Sequence, residues 1–490
     1  MIVNIQQIIR FFGIKRDSLS YSSFILFLGK LFHSVSSLLI FAILSRYFTV
    51  EQYGTYRQFL LFGYTLIPLI LLGIPNSTNY FIAGEKEKTQ RFYVISSILL
   101  CLTLTFITGS FFFIFRNEFI SLINNRYFSK FIIPMVCMQL FSPLFYLYQP
   151  IFVSLRKHRL VVIISVISSF LILLFVVFTI SLKLSFDIFI FGFSAIMILN
   201  SLGILAKILF ESGTKNFFIN WGYVKSQVLF SFPLGIALFL GLASKQLDKL
   251  LVNFFTNPGT FAIYSNGAFE IPFIALITNS VMAVVLPEYI RLWKNKNVEQ
   301  ITKIWYNSIF KSASIILPVM FFSLMAHKEI IIFIFGKLYI SSSIIFFIYL
   351  FILPMRVVNF GSILIATGKT NKILKYSFIA LLVNVILSII GFHFLKTPGI
   401  AIATVISIYI INIGQLYEIS KLLKYPMKQL IPISNLSRIV LACILGLVIV
   451  VFISLLNINP IISFIFKGIF FIIIYFFFFY KFIINKIFNP

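Results

Sequence analysis

Long apolar runs follow one another along almost the whole of this chain, and they leave it few ways to fold. From Leu19 onward the 490 residues divide into about fourteen such stretches, at approximately 19–44, 54–83, 91–115, 127–155, 159–181, 186–210, 227–255, 258–289, 301–326, 340–366, 371–395, 399–423, 433–456 and 460–482. Each is bounded by charge, by Gly or Pro, or by Asn. Crossing a bilayer takes roughly 20 apolar residues. Lipid offers no partner to a bare N–H or C=O, so each stretch is expected to be a helix. The stretches are too long and too uniformly apolar for the alternating strands of a membrane barrel. Composition agrees: 60% of residues are hydrophobic and only 11% charged, against roughly 45–50% apolar in soluble domains.

The net charge of +27 would suit a nucleic-acid binder, but its distribution excludes one. The bases sit in short clusters between apolar runs, at 10–16, 86–91, 156–159, 207–225, 291–303, 369–375, 421–438 and 481–486. These all fall on one side if the N-terminus is placed inside. The other side holds only Arg46, Arg116, Arg126, Lys130, Lys183, Lys328, Lys337 and Lys396. Such a bias over short loops predicts that the basic side is cytoplasmic. Both termini are then expected in the cytoplasm. Residues 1–18, with Arg10, Lys15 and Arg16, read as a cytoplasmic interfacial segment. The first apolar run ends at Arg46 without a small-residue cleavage site, so it reads as a span and not as a signal peptide.

Several function classes find no support. Cys101, Cys137 and Cys443 lie in apolar runs, with neither disulfide nor metal spacing. There is no Gly-rich phosphate loop, nucleophile elbow or metal-spaced cluster. No loop exceeds roughly twenty residues, so the soluble catalytic domain or long outer loop expected of a membrane glycosyltransferase or polymerase is missing. The expectation is a non-enzyme without cofactor or metal, driven by an ion gradient or a substrate gradient.

The chain also echoes itself. Tyr47-Phe48-Thr49 before Gly54-Thr55-Tyr56 resembles Phe255-Thr256 before Ala262-Ile263-Tyr264. Ile67-Pro68 is answered by Ile271-Pro272, Ile74-Pro75 by Leu286-Pro287, and Pro143 by Pro354, at offsets of about 204–213 residues. Six spans therefore precede six similar spans in the same orientation, a parallel repeat with its axis along the membrane normal. The expected organisation is a cytoplasmic segment at 1–18, an N-lobe at 19–220, a C-lobe at 221–425, and an extra helix pair with a cytoplasmic tail at 426–490.

Ordered motifs then carry a family resemblance. Ser45-Arg46-Tyr47-Phe48 with Glu51-Gln52-Tyr53-Gly54-Thr55-Tyr56 closes span 1. Phe232-Pro233-Leu234-Gly235 leads to Gln246-Leu247-Asp248-Lys249-Leu250 in span 7. Val285-Leu286-Pro287-Glu288, Phe335-Gly336-Lys337-Leu338-Tyr339 and Gly399-Ile400-Ala401-Ile402-Ala403-Thr404 follow. In order and spacing these resemble the multidrug/oligosaccharidyl-lipid/polysaccharide (MOP) superfamily, in its polysaccharide-biosynthesis branch of O-antigen or capsule repeat-unit flippases (Wzx-type). The resemblance implies an all-α integral membrane protein of about fourteen transmembrane helices: two six-helix lobes related by a parallel repeat, plus two C-terminal helices. It implies a passenger that is an undecaprenyl-diphosphate-linked oligosaccharide, a bacterial cytoplasmic membrane, and polymerase and chain-length proteins as partners.

Ionisable residues inside the spans are the candidate site. They are Lys30, Arg57, Lys245, Asp248, Lys249, Glu270 and Arg356. Each costs roughly 2.5–3.5 kcal/mol at the bilayer centre, so they should face a wet, protein-lined cavity. Lys30, His33, Ser34 and Ser37 share a helix face, as do Gly241, Ser244, Lys245 and Asp248. The five bases suit a diphosphate and make the candidate substrate-binding set: Lys30, Arg57, Lys245, Lys249 and Arg356. Asp248 and Glu270 are the candidates for ion coupling. Bland readings stay open beside these: Lys245 or Lys249 neutralising Asp248, Glu270 as a structural ion-pair partner, and Arg57, Lys311 and Lys467 snorkelling to the surface. Three other functions stay open too: an ion-coupled drug exporter of the same superfamily, a peptidoglycan-precursor flippase, and a membrane glycan polymerase or glycosyltransferase.

Overall fold

A computed structural model describes residues 19–65, 67–83, 85–213, 219–454 and 460–481. The interfacial segment expected at 1–18 and the last residues of the tail lie outside these. All regular structure among the described residues is helical. The chain divides into two compact units. Unit one is Met1–Ala243 with Asn253–Ala262, and unit two is Ser244–Val252 with Ile263–Pro490.

Unit one contains α1 (Leu19–Tyr47), α2 (Val50–Leu60), α3 (Ile67–Ile70), α4 (Ile74–Ile82), α5 (Glu87–Ile114), α6 (Arg116–Ile123), α7 (Ile132–Phe141), α8 (Pro143–Ser154), α9 (His158–Ser181) and α10 (Phe186–Glu211). The long α11 (Trp221–Phe255) is shared between the units. Then follow α12 (Pro258–Gly267), α13 (Pro272–Lys294), α14 (Val298–Met325), α15 (His327–Phe335), α16 (Ser342–Leu350), α17 (Leu353–Arg356), α18 (Phe360–Ala366), α19 (Thr370–Leu395), α20 (Thr397–Leu423), α21 (Ile433–Ser454) and α22 (Pro460–Phe479).

This element order repeats. In each half a long helix is followed by a broken span, an unbroken one, a short helix with a 3₁₀ turn (Arg126–Phe131 or Lys337–Tyr339), a second broken span and two long helices. The breaks fall where the repeated prolines stand. Proline cannot donate a backbone hydrogen bond and clashes with the preceding turn. So α3 carries Pro68 after a π-helical turn at Leu61–Thr65, α13 opens at Pro272, α8 opens at Pro143, and α17 holds Pro354.

Not every one of the fourteen expected spans is a single long helix. Among the described residues ten helices are long and apolar enough to cross a membrane, or eleven if the bent pair Ser342–Leu350 and Leu353–Ala366 is one span. The second expected span is divided among α2, the π turn, α3 and α4. The fourteenth offers a 17-residue apolar helix at Ser463–Phe479. The seventh lies in α11, a helix of 35 residues, several of whose side chains, including that of Lys245, lie outside the described residues.

Two features hold unit one's broken span in place. Leu72 and Gly73 adopt left-handed backbone angles, and the chain there presses on Gly235 of α11. A Cβ at Gly235 would stand 2.1 Å from the carbonyl oxygen of Leu72, so glycine is required by the approach. Beside it runs a buried polar seam. Gln227 Nε2 donates to Ser97 Oγ at 2.7 Å, Ser231 Oγ donates to Ser77 Oγ at 2.7 Å, and Thr78 and Ser97 share a bond of 2.8 Å. These bonds fasten α4 and α5 to the first part of α11. Around them pack Ile67, Leu71, Ile74, Val94, Leu147 and Phe152, all buried.

In each unit the two long helices that close the repeat, α9 and α10 or α19 and α20, are also joined by a Lys–Glu pair at the ends assigned to the cytoplasm by charge. Lys157 Nζ lies 2.5 Å from Glu211 in unit one, and Lys372 Nζ lies 3.1 Å from Glu418 in unit two. In unit two α22 is tied down at Tyr475, whose hydroxyl donates to Ser314 O at 2.7 Å, and at Lys467, whose Nζ is 3.1 Å from Glu329. A snorkelling Lys467 would be exposed. Its side chain is instead only 9% exposed, because a carboxylate within reach satisfies the charge where it stands.

Candidate functional site

The sequence candidates divide between the units: Lys30 and Arg57 lie in unit one, and Lys245, Asp248, Lys249, Glu270 and Arg356 in unit two. In unit two Asp248, in the second part of α11, is completely buried. Its Oδ2 accepts a hydrogen bond from the Tyr264 hydroxyl of α12 at 3.0 Å and a second from the Tyr349 hydroxyl of α16. The two hydroxyls are 3.3 Å apart. Asp248 Oδ1, also buried, has no hydrogen-bond partner among the described residues. Lys249 next to it is half-buried, and no ion pair to Asp248 occurs among the described residues. The Lys245 side chain lies outside them. The described groups that meet the Asp248 carboxylate are thus two tyrosine hydroxyls.

Arg356 and Glu270 come together, although the sequence reading gave them different tasks. Arg356 ends α17 and Glu270 stands in the break between α12 and α13. Nε of the arginine is 3.0 Å from Oε1 of the glutamate, with the side chains 31% and 44% exposed. The charges are close, but the N–H is poorly aligned for a hydrogen bond. The pair connects the two helix breaks of unit two.

Unit one has a cavity at the corresponding pair of breaks, with a volume of about 260 Å³. Thr65 ends its π turn, and Phe145 stands two residues beyond Pro143, as Arg356 stands two beyond Pro354. Both Thr65 and Phe145 line the cavity. His33, Ser36 and Ser37 reach it from α1, Tyr56 from α2, and Ser169 from α9. His33 Nδ1 is 2.8 Å from Ser169 Oγ. Arg57 is half-buried: its guanidinium lies 4.4 Å from the centre of the Phe41 ring and donates to the Tyr53 hydroxyl at 3.0 Å, a stacked arrangement that favours arginine. Lys30, one turn before His33, is exposed.

Tyr264 and Tyr349 join the candidate site through Asp248, and sequence reasoning missed both. Tyr264 was visible only as part of the repeat, opposite Tyr56. Tyr349 gave no signal, since a tyrosine in an apolar run is unremarkable in a chain with 22 of them.

A family model described as polysaccharide biosynthesis protein matches residues 20–293, more than half of the chain. The chain belongs to the polysaccharide biosynthesis protein family. The match takes in Lys30, Arg57, Lys245, Asp248, Lys249, Tyr264 and Glu270, and stops before Tyr349 and Arg356. A curated relative, the capsular polysaccharide biosynthesis protein CapF of Staphylococcus aureus, is 25% identical over 195 residues, which are 39% of this chain and 49% of the relative. The alignment thus spans about half of that protein's length.

Solved structures extend the likeness in fold over nearly all of this family member. The lipid II flippase MurJ, in an inward closed conformation, superposes with a TM-score of 0.78 at 17% identity, over 94% of this chain and 99% of the flippase. An inward-facing multidrug resistance MATE family transporter of the MOP superfamily gives a TM-score of 0.61 at 13% identity, over 82% of this chain and 95% of the transporter. The chain is therefore an all-helical, multi-pass membrane protein with the MurJ and MATE fold.

Proposed function

We propose that this protein is a flippase for an undecaprenyl-diphosphate-linked oligosaccharide repeat unit, moving it across the bacterial cytoplasmic membrane by alternating access during O-antigen, capsule or exopolysaccharide assembly. The observation that carries this reading is the combination of a polysaccharide-biosynthesis family match with a flippase-like fold over 94% of the chain. Intramembrane charge supports it. Lys30, Arg57, Lys245, Lys249 and Arg356 are basic, and guanidinium and ammonium groups are natural partners of phosphate. In this reading they receive the diphosphate, while the polyprenyl tail stays in lipid.

Asp248 fits the coupling role. It is a fully buried carboxylate with one oxygen held by two tyrosine hydroxyls and the other without a partner among the described residues. A proton on the unpartnered oxygen would neutralise such a group. Glu270, already paired to Arg356, fits the role of positioning that arginine between passengers. The protein is in this view a carrier and not a catalyst. Polymerase and chain-length proteins would take its product, and both of its termini would be cytoplasmic.

The test is a lipid extraction from cells lacking the protein, with rescue by wild type and by a Lys30→Ala/Arg356→Ala double variant. Accumulation of finished lipid-linked oligosaccharide and loss of surface glycan, restored by wild type alone, is the expected result. Unchanged lipid-linked sugars with increased sensitivity to cationic compounds would replace the flippase by a drug exporter, the function of the MATE-family structure with the same fold.

A further inference from the structure

The cavity of unit one differs in kind from the charged breaks of unit two. Among the described residues no Lys, Arg, Asp or Glu lines it. A phosphate or a cationic drug there would meet no counter-ion in the lining itself, because the Arg57 guanidinium is taken up by the Phe41 ring and the Tyr53 hydroxyl, and desolvating an uncompensated charge costs several kcal/mol. The lining is not simply greasy either. Beside the aliphatic Ile40, Leu60, Ile172 and Met197 it presents four aromatic rings, of Phe41, Tyr56, Phe145 and Phe193, and five hydrogen-bonding side chains, of His33, Ser36, Ser37, Thr65 and Ser169. His33 commits one ring nitrogen to Ser169 and keeps the other for an occupant.

An uncharged ligand with apolar faces and polar edges answers that lining. A pyranose ring is such a ligand: its C–H faces lie against aromatic rings and its hydroxyls both donate and accept. The volume of about 260 Å³ falls just under the ~300–1,000 Å³ of drug-sized sites, which suits one ring. Resting on the flippase reading, we infer that the cavity of unit one binds one neutral sugar ring of the lipid-linked glycan, apart from the basic side chains that receive the diphosphate.

The experiment uses the full-length protein in lipid nanodiscs. Four probes are bound to it: undecaprenyl diphosphate alone, and the same lipid bearing a single glucose, galactose or N-acetylglucosamine. Two variants fill the cavity without adding charge, Ser37→Leu from α1 and Ile172→Phe from α9. The wild type is expected to prefer at least one glycosylated probe over the bare lipid by ~10-fold, which corresponds to about 1.4 kcal/mol. Both variants are expected to lose that preference and to bind the bare lipid as the wild type does, which also shows them folded. Three results overturn the inference: equal wild-type binding of all four probes, a preference that survives in both variants, or loss of bare-lipid binding in both, which would put the tail or the phosphate in the cavity. Failure of the wild type to bind even the bare lipid strikes the flippase reading itself and is thereby told apart from the other three.

Discussion

The coupling role proposed for Asp248 can be tested through its surroundings. An amide at this position keeps the shape and can still accept from a tyrosine hydroxyl, but it cannot carry the charge that an ion or proton would neutralise. Asp248→Asn is expected to abolish rescue of surface glycan in cells lacking the protein while the variant stays in the membrane at wild-type levels. Tyr349→Phe removes one of two hydrogen bonds to the same oxygen, worth ~1.5–3 kcal/mol to a charged acceptor, and is expected to weaken rescue without abolishing it. If Asp248→Asn and Glu270→Gln both transport normally, the coupling idea fails. Arg356 gives a second prediction. Its ion pair is partly exposed and worth only about 1 kcal/mol, so Glu270→Gln should cost little stability. Arg356→Ala, which also removes a proposed diphosphate contact, should reduce glycan rescue far more than Glu270→Gln does. Asp248, Glu270 and Arg356 were legible in the sequence because a charge in an apolar run is costly and therefore conspicuous. Tyr264 and Tyr349 were not, because burying a tyrosine carries no such penalty once its hydroxyl finds a partner. Nor could spacing along separate helices reveal that Arg356 and Glu270 meet.

Among elements, the informative ones are those that do not run straight. The repeated prolines were readable, and they mark the repeated breaks. What they could not tell was that the second span would be cut into four pieces, because that depends on a tertiary contact: the Leu72–Gly73 turn needs the bare backbone of Gly235 against it. The same contact explains why the Phe-Pro-Leu-Gly motif belongs in α11. Gly235→Val would force a side chain into the space of the Leu72 carbonyl and push α11 away from α4 and the Gln227 seam. The expected outcome is loss of folded protein, read as failure to recover a monodisperse species in detergent, whereas Gly203→Ala, at a position with nothing within 4 Å of the added atom, should behave as wild type. The final helix offers a milder test. Lys467 is buried and Glu329 is a third exposed. Lys467→Ala leaves Glu329 without its partner and should cost about 2 kcal/mol, less than a fully buried broken pair. Lys467→Met combined with Glu329→Gln should recover most of the loss in thermal stability, since replacing a buried pair by neutral groups is often tolerated. If the double variant melts as low as the single one, the ion pair is not what holds α22.

At the scale of the whole molecule, direction of transport depends on which face is cytoplasmic, and the argument for that is electrostatic. Bases near short loops are retained inside during insertion, and the clusters at 86–91, 156–159, 291–303, 369–375 and 421–438 share one side if every span expected from the sequence crosses. The broken spans put that condition under strain. A broken span that crosses keeps the alternation of sides; one that turns back within the membrane reverses every assignment after it. Single cysteines decide between these. Lys337 and Lys428 are both exposed, stand in turns assigned to opposite faces, and are separated by the bent span of α16 to α18 and by α19 and α20. Of the native thiols, Cys101 and Cys443 are buried and should stay silent to a membrane-impermeant maleimide, while Cys137, which is only partly buried, is replaced by serine. Lys337→Cys is expected to be labelled in intact spheroplasts and Lys428→Cys only after the membrane is opened. Labelling of both from outside would mean that an odd number of crossings does not separate them, so that the bent helix of α16 to α18 dips in without crossing. Labelling in the reverse order would invert the molecule, and the basic face would then meet the passenger on the side to which it is delivered.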